Sequence, residues 1–198
     1  MNQQTWIQSL RAANPGWTEW RELIEFAQSL EMVEFENEYL GAFLTSGSTE
    51  QDAGDTWPGC LTVKVLPMET QFPAWLPKYV RPLVGLKASE YCMEGGYANA
   101  FDGRPSQPGH AFFGPILDAE LGHPLIPIPT DCFPFQRNSS GALFHITKKL
   151  EILTPDASQG KFLLLDDLET FTKKSIRCVL EGRDWYESYW DRKFDIID

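Results

Sequence analysis

Residues 125–182 read LIPIPTDCFPFQRNSSGALFHITKKLEILTPDASQGKFLLLDDLETFTKKSIRCVLEG, and this stretch decides the fold. Pro127 and Pro129 cannot donate to a central ladder, so Leu125-Ile126-Pro127-Ile128-Pro129 suits an opening or edge strand. Residues 130–137 continue it through Phe133-Pro134-Phe135. Asn138-Ser139-Ser140-Gly141 is a turn cluster whose side chains can bond their own backbone, and residues 142–147 form the return strand of a hairpin. Lys148-Lys149 turns the chain into residues 150–153, and Thr154-Pro155-Asp156 closes that segment. After Ser158-Gln159-Gly160, Phe162-Leu163-Leu164-Leu165 leads into Asp166-Asp167-Leu168-Glu169. Here Asp166 is expected to accept from the free amides of a helix start, with Glu169 at the capping-box position. Leu168, Phe171, Ser175 and Val179 then fall on one helical stripe, and Gly182 is a natural stop. The order predicts an α+β fold, a mostly antiparallel sheet flanked by helices, in a single domain over residues 1–198.

Upstream, residues 5–13 form an amphipathic helix that Asn14-Pro15-Gly16 ends. A stronger helix starts at Thr18, with Trp20, Leu23, Ile24, Ala27 and Leu30 at helical spacing. Met32, Phe35, Tyr39, Leu40 and Phe43 keep the same period, so the helix is expected to continue or restart through residue 44. This gives an acidic helical amino-terminal part of about residues 1–45. Residues 46–59 read as a loop and residues 61–66 as an alternating strand. Residues 69–122 are dense in Pro and Gly; a short helix within 75–86, interrupted by Pro77 and Pro82, is the one element assigned there. Residues 184–194 can form a last aromatic helix.

The chain has 198 residues, 42% hydrophobic and 13% aromatic, the composition of a globular core. A domain of this length buries roughly 70% of the surface its unfolded chain exposes. No run approaches the roughly 20 apolar residues of a membrane helix, and the first residues lack a signal-peptide pattern, so the expected location is the cytosol. Cys60, Cys92, Cys132 and Cys178 form no CxxC pair, which favours free thiols over a zinc site or disulfides. The formal net charge of −11 argues against a nucleic-acid backbone as partner and permits a basic protein. Residues 1–60 hold ten acids against Arg11 and Arg21.

Local catalytic signatures are missing. Gly160-Lys161 lacks the rest of a P-loop, and no HExxH, GxSxG or EF-hand pattern occurs. The sharpest enzymatic alternative is a hydrolase with Cys132 as nucleophile and His110, His123 or His145 as base. Against it, Cys132 lies in an apolar run as core cysteines do, and His145 alternates with Phe144 and Ile146 as a surface imidazole would. Cys92, His110, His123 and Cys132 have no compact zinc-ligand spacing, so neither metal nor cofactor is expected. Asp166, Asp167 and Glu169 could be an acid/base cluster, but anions at a helix start already have an electrostatic reason to be there. Of seven tryptophans, Trp57 and Trp75 stand beside prolines and are the candidates for exposed anchors. Glu34, Glu36 and Glu38, with Asp52 and Asp55 in the following loop, could build a negative surface that steers a cationic partner, although such charges often only solubilise one face.

The Pro-containing IPI at 126–128, the NSSG turn at 138–141, ALFHI at 142–146 and LDDLETF at 165–171 together resemble the carboxy-terminal half of the SUKH superfamily. FPAWLPKYVRPL at 72–83 looks like that family's Leu-Pro segment ahead of a short helix. The likeness covers about the last two thirds of the chain. Where the family commonly has a small Gly-containing turn after the opening strand, this sequence has Cys132-Phe133-Pro134-Phe135. The resemblance implies a non-catalytic immunity protein that occludes a cognate, often basic, bacterial toxin domain. Some members of the family are instead adaptors or regulators of cellular complexes, which is a third reading.

Overall fold

Asn2 opens the first helix: its side chain accepts the Thr5 amide at 3.0 Å, and α1 follows over Gln3–Ala12. The computed structural model describes residues 2–35, 39–44, 59–64, 72–84, 86–89, 131–137, 143–156, 160–181 and 195–197. The opening run at 125–130, the turn at 138–141, most of 69–122 and the helix expected at 184–194 lie outside the described residues, as does Gly182. After α1 the chain turns at Gly16, whose φ of +91° is left-handed and whose amide donates to the Asn14 side chain at 2.8 Å. Helix α2 covers Thr18–Ser29 and buries Trp20, Leu23, Ile24 and Ala27, the stripe its sequence predicts. The two buried indoles find acceptors for their N–H groups: Trp20 donates to Leu10 O at 2.9 Å and Trp6 to Pro82 O at 2.8 Å.

The helix does not continue past Ser29, which corrects the reading of residues 31–44 and of a helical part reaching residue 45. Val33–Phe35 is strand β1 and Tyr39–Leu44 is β2, paired antiparallel with Phe35 opposite Tyr39. Two causes are visible. Gln3 Nε2 donates to Ala27 O and Leu30 O, both at 2.7 Å, so a side chain from α1 satisfies carbonyls that another helical turn would have used. In β2, residues 40–42 are all buried, and Leu40 and Ala42 share one face of the strand, opposite Val63 and Leu61.

Strand β3, Gly59–Lys64, pairs with β2 and places Val63 opposite Leu40 and Leu61 opposite Ala42, so all four share the inner face. A 3-10 helix at Lys78–Leu83 contains Pro82 and follows Pro77, as expected for residues 75–86, and Lys87–Ser89 adds β4. The first sheet has the order β1-β2-β3-β4.

The second sheet has the order β5-β6-β7-β8-β9: Cys132–Arg137, Leu143–Thr147, Glu151–Asp156, Lys161–Asp167 and Asp195–Ile197. The predicted hairpin is β5 with β6, and β5 lies at the edge, with a register shift beside Pro134. Pro155 is inside β7 rather than closing it. It pairs with Phe162 of β8, and among the described residues β6 pairs with β7 only as far as Leu153, so no amide of Pro155 is called on there. Strand β9 had no counterpart in the sequence reading.

Helix α3, Leu168–Glu181, follows β8 without a loop and touches α2, β4, β7 and β8. Leu168, Phe171, Ser175 and Val179 are all buried, as their spacing predicts. The buried hydroxyls of Thr172 and Ser175 donate to Leu168 O and Phe171 O, at 2.6 and 2.7 Å, which lets polar residues sit in the stripe. One core joins these elements: Leu10, Trp20 and Leu23 from α1 and α2, Leu40, Leu61 and Val63 from the first sheet, Phe144, Ile146, Ile152 and Leu165 from the second, and Phe171 and Ile176 from α3. The architecture is α+β, with two antiparallel sheets and helices packed on them. Truncating Phe171 to Ala should cost about 3 to 5 kcal/mol, read from urea unfolding followed by tryptophan fluorescence.

Candidate partner-binding surface

The core leaves the acids outside. Glu34 is exposed on β1, directly opposite the buried Leu40, where the inner face of the sheet runs out to its margin. Glu36, Glu38, Asp52, Asp55 and Trp57 lie outside the described residues. Trp75 is half-buried and packs against the core. Glu25 on α2 and Glu31 just after it are exposed as well. These two were not singled out by the sequence reading, yet a signal was present: from residue 22 to residue 63 there is no Lys or Arg and there are nine acids. Within that span Glu22 finds a cation across the fold, since Arg177 of α3 lies 2.9 Å from its carboxylate.

Beside this surface, α2, α3 and the 3-10 helix meet in an aromatic node. Trp17 and Tyr79 stand edge to face with centroids 4.9 Å apart, and Trp20 lies 6.3 and 6.1 Å from them. Lys173 Nζ sits 5.0 Å from the Trp17 ring centroid and 2.6 Å from Glu169 Oε1. Trp17 with Lys173 and Glu22 with Arg177 step along both helices in the same sense, so α2 and α3 run parallel. Burial, reinforced by Glu169 and Asp167, pushes the Tyr79 phenol well above its ordinary pKa.

The three carboxylates at the start of α3 have structural work. Asp167, not Asp166, is the cap: its Oδ1 accepts the Thr170 amide at 2.9 Å, which puts Glu169 one position short of a capping box. Asp166, only 10% exposed in its side chain, takes Lys174 Nζ at 2.7 Å, and Glu169 takes Lys173. Burial pulls the Asp167 carboxyl upward, but the amide and hydroxyl of Thr170 and the amides of Glu169 and Asp167 together hold it below the ordinary carboxylate value.

His145 is buried, not at the surface. Phe144, His145 and Ile146 are all inaccessible because β6 is an interior strand covered on both faces, and the imidazole stands edge-on to Phe162 with centroids 5.2 Å apart. Cys132 opens β5 opposite Thr147 and is half-buried. Burial and then the neighbouring Asp131 raise its thiol pKa, the opposite of what activates a nucleophile. Cys92, His110 and His123 are outside the described residues. Among the described residues no three His, Cys, Asp or Glu side chains are grouped so as to hold a metal ion. Nor is any described helix long and apolar enough to cross a membrane.

Comparison with models of known protein families, with curated proteins and with solved structures finds no match to this chain.

Asp167→Ala should lose about 1 kcal/mol of stability and Asp167→Asn much less, measured by urea unfolding at neutral pH. Because the folded-state pKa of Asp167 is depressed, its contribution is present above the unfolded value of about 3.9 and disappears as pH falls through the folded value. The difference between wild type and Asp167→Ala should therefore shrink on acidification. Alkylation of Cys132 by iodoacetamide, followed by peptide mass mapping, should be slower at neutral pH than that of an unstructured peptide thiol. Its rate should climb only at more alkaline pH.

Proposed function

We propose that this protein acts by binding: it recognises a basic protein domain through the acidic surface of its amino-terminal third and occludes that partner's working face. The observation that carries this reading is the run from residue 22 to residue 63, nine acids with no Lys or Arg, of which Glu25, Glu31 and Glu34 are exposed on successive elements. Such a surface raises the potential seen by an approaching cation and speeds its encounter, while a few desolvated side chains set how long it stays. Further support comes from the carboxylates at the start of α3, each engaged in a cap or an ion pair, and from the raised thiol of Cys132. The SUKH-like stretches make an immunity protein that neutralises a bacterial toxin domain the most specific form of the proposal. Fold analogy alone does not carry function, so the charge pattern bears the argument.

The chain should form a one-to-one complex with a basic polypeptide encoded beside its gene. The association rate should fall several-fold as ionic strength rises past about 0.15 M. Glu25→Lys with Glu31→Lys should slow association about tenfold while leaving the unfolding midpoint nearly unchanged, since exposed charges contribute little to stability. Stopped-flow fluorescence measures the first and urea titration the second. Association indifferent to salt and to the reversed charges would remove the electrostatic basis of the proposal.

A further inference from the structure

We infer that the corner formed by Trp17, Tyr79 and Glu169 is a seat for a lysine side chain of the basic partner, and that the chain's own Lys173 fills it in the free protein. The inference rests on the partner-occluding role proposed above and names an anchor at the opposite end of α2 from Glu25 and Glu31. Three observations converge. Trp17 and Tyr79 are half-buried, with ring centroids 4.9 Å apart and planes inclined at 63°, so they form two walls of a corner rather than a stack. Lys173 Nζ lies over the Trp17 ring, 5.0 Å from its centroid, and 2.6 Å from Glu169 Oε1, so an ammonium already sits between a π face and a carboxylate. It is held there without being enclosed: the Lys173 side chain is 34% exposed and that of Glu169 53%, and exposed pairs four residues apart on a helix are weak enough for an incoming ammonium to displace.

Charge and shape select the occupant. The Glu169 hydrogen bond, and then the charges of Glu169, Glu19 and Asp167, raise the Lys173 ammonium above its ordinary pKa, so three carboxylates bear on one cation and the corner keeps a negative field. Lys173 itself defines the chemistry that fits: a primary ammonium on an apolar stem whose methylenes can lie along an indole. A second copy of this chain would bring one formal charge of −11 against another, which disfavours it as the partner. Trp17 and Glu25 are separated by about 12 Å along the α2 axis, so one basic face can reach the seat and the acidic surface together.

The test uses the full chain, isotopically labelled, and Nα-acetyl-lysine methylamide as the probe. Its Nε-acetylated form, neutral and otherwise alike, is the control. Wild type should take up the probe weakly because Lys173 competes for the seat, and Lys173→Ala should bind it saturably and about tenfold more tightly. The shifts should centre on residues 17, 79 and 169. Adding Glu169→Gln to Lys173→Ala should remove the gain, and the neutral control should bind neither chain. Urea unfolding midpoints of both variants should stay close to that of wild type, since exposed charges contribute little to stability, and this separates an empty seat from a misfolded one. Equal binding by wild type and Lys173→Ala, shifts centred elsewhere, or equal binding of the neutral control would each overturn the inference. Concentration-dependent dimerisation of Lys173→Ala with shifts at the same residues would also overturn it by naming a second copy as occupant. If the lysine probe fails while the basic partner is still captured with salt dependence, the seat falls and the occlusion reading stands.

Discussion

The uninterrupted passage from β8 into α3 is the constraint on which the other elements depend. Asp167 ends the strand and Leu168 begins the helix, so the strand direction dictates where the helix axis points. The Leu168 amide donates to Leu150 O at 2.7 Å, and Leu150 holds a φ of +62° in the turn between β6 and β7 to present that carbonyl. Left-handed backbone is unfavourable for leucine, and the partial burial of its side chain against the core is the compensating gain. Once α3 is aimed, burial of Leu168, Phe171, Ile176 and Val179 at roughly 1.5 to 3 kcal/mol each for large apolar groups outweighs the cap several-fold. The cap sets where the helix starts; packing makes it persist.

That hierarchy explains which parts of the fold were legible in the sequence. Elements with a strong period or a distinctive breaker were readable: the stripe of α2, the stripe of α3, the strand expected at 61–66, which starts earlier, at Gly59, and is described to Lys64, and the hairpin of β5 with β6, whose Pro134 fits only an edge. The 3-10 helix was readable for the same reason, because Pro77 and Pro82 allow little else. What failed did so through tertiary override. Residues 31–44 carry a helical period, yet Gln3, distant in sequence, satisfies the carbonyls at the end of α2, and the sheet takes Leu40 and Ala42 by alternation. His145 was misplaced because alternation implies one wet face only when a sheet has one, and β6 is covered on both. Asp166 and Asp167 are adjacent and chemically identical, so only geometry could assign the cap.

Of the residues the sequence offered for a binding surface, Glu34 and Trp75 lie among the described ones. Glu34 is exposed, and the more telling property of the sequence is that residues 22–63 hold no Lys or Arg. Distance along the chain hides compensation across the fold: Glu22 is balanced by Arg177 from α3, while Glu25 and Glu31 remain at the surface. Trp75, which stands near prolines, is half-buried and packs against the core.

Gln3 links these observations in one further way. Its amide nitrogen donates to Ala27 O and Leu30 O, and its oxygen accepts the Met32 amide at 3.4 Å, one residue before β1 begins. One side chain near the amino terminus therefore acts as a clasp that fixes where the acidic segment leaves the helical layer. A version of the protein trimmed past Gln3 would keep every glutamate and still present them from a loosened hinge. Loss of affinity in such a truncation would then reflect mispositioning of the surface rather than removal of any contact residue.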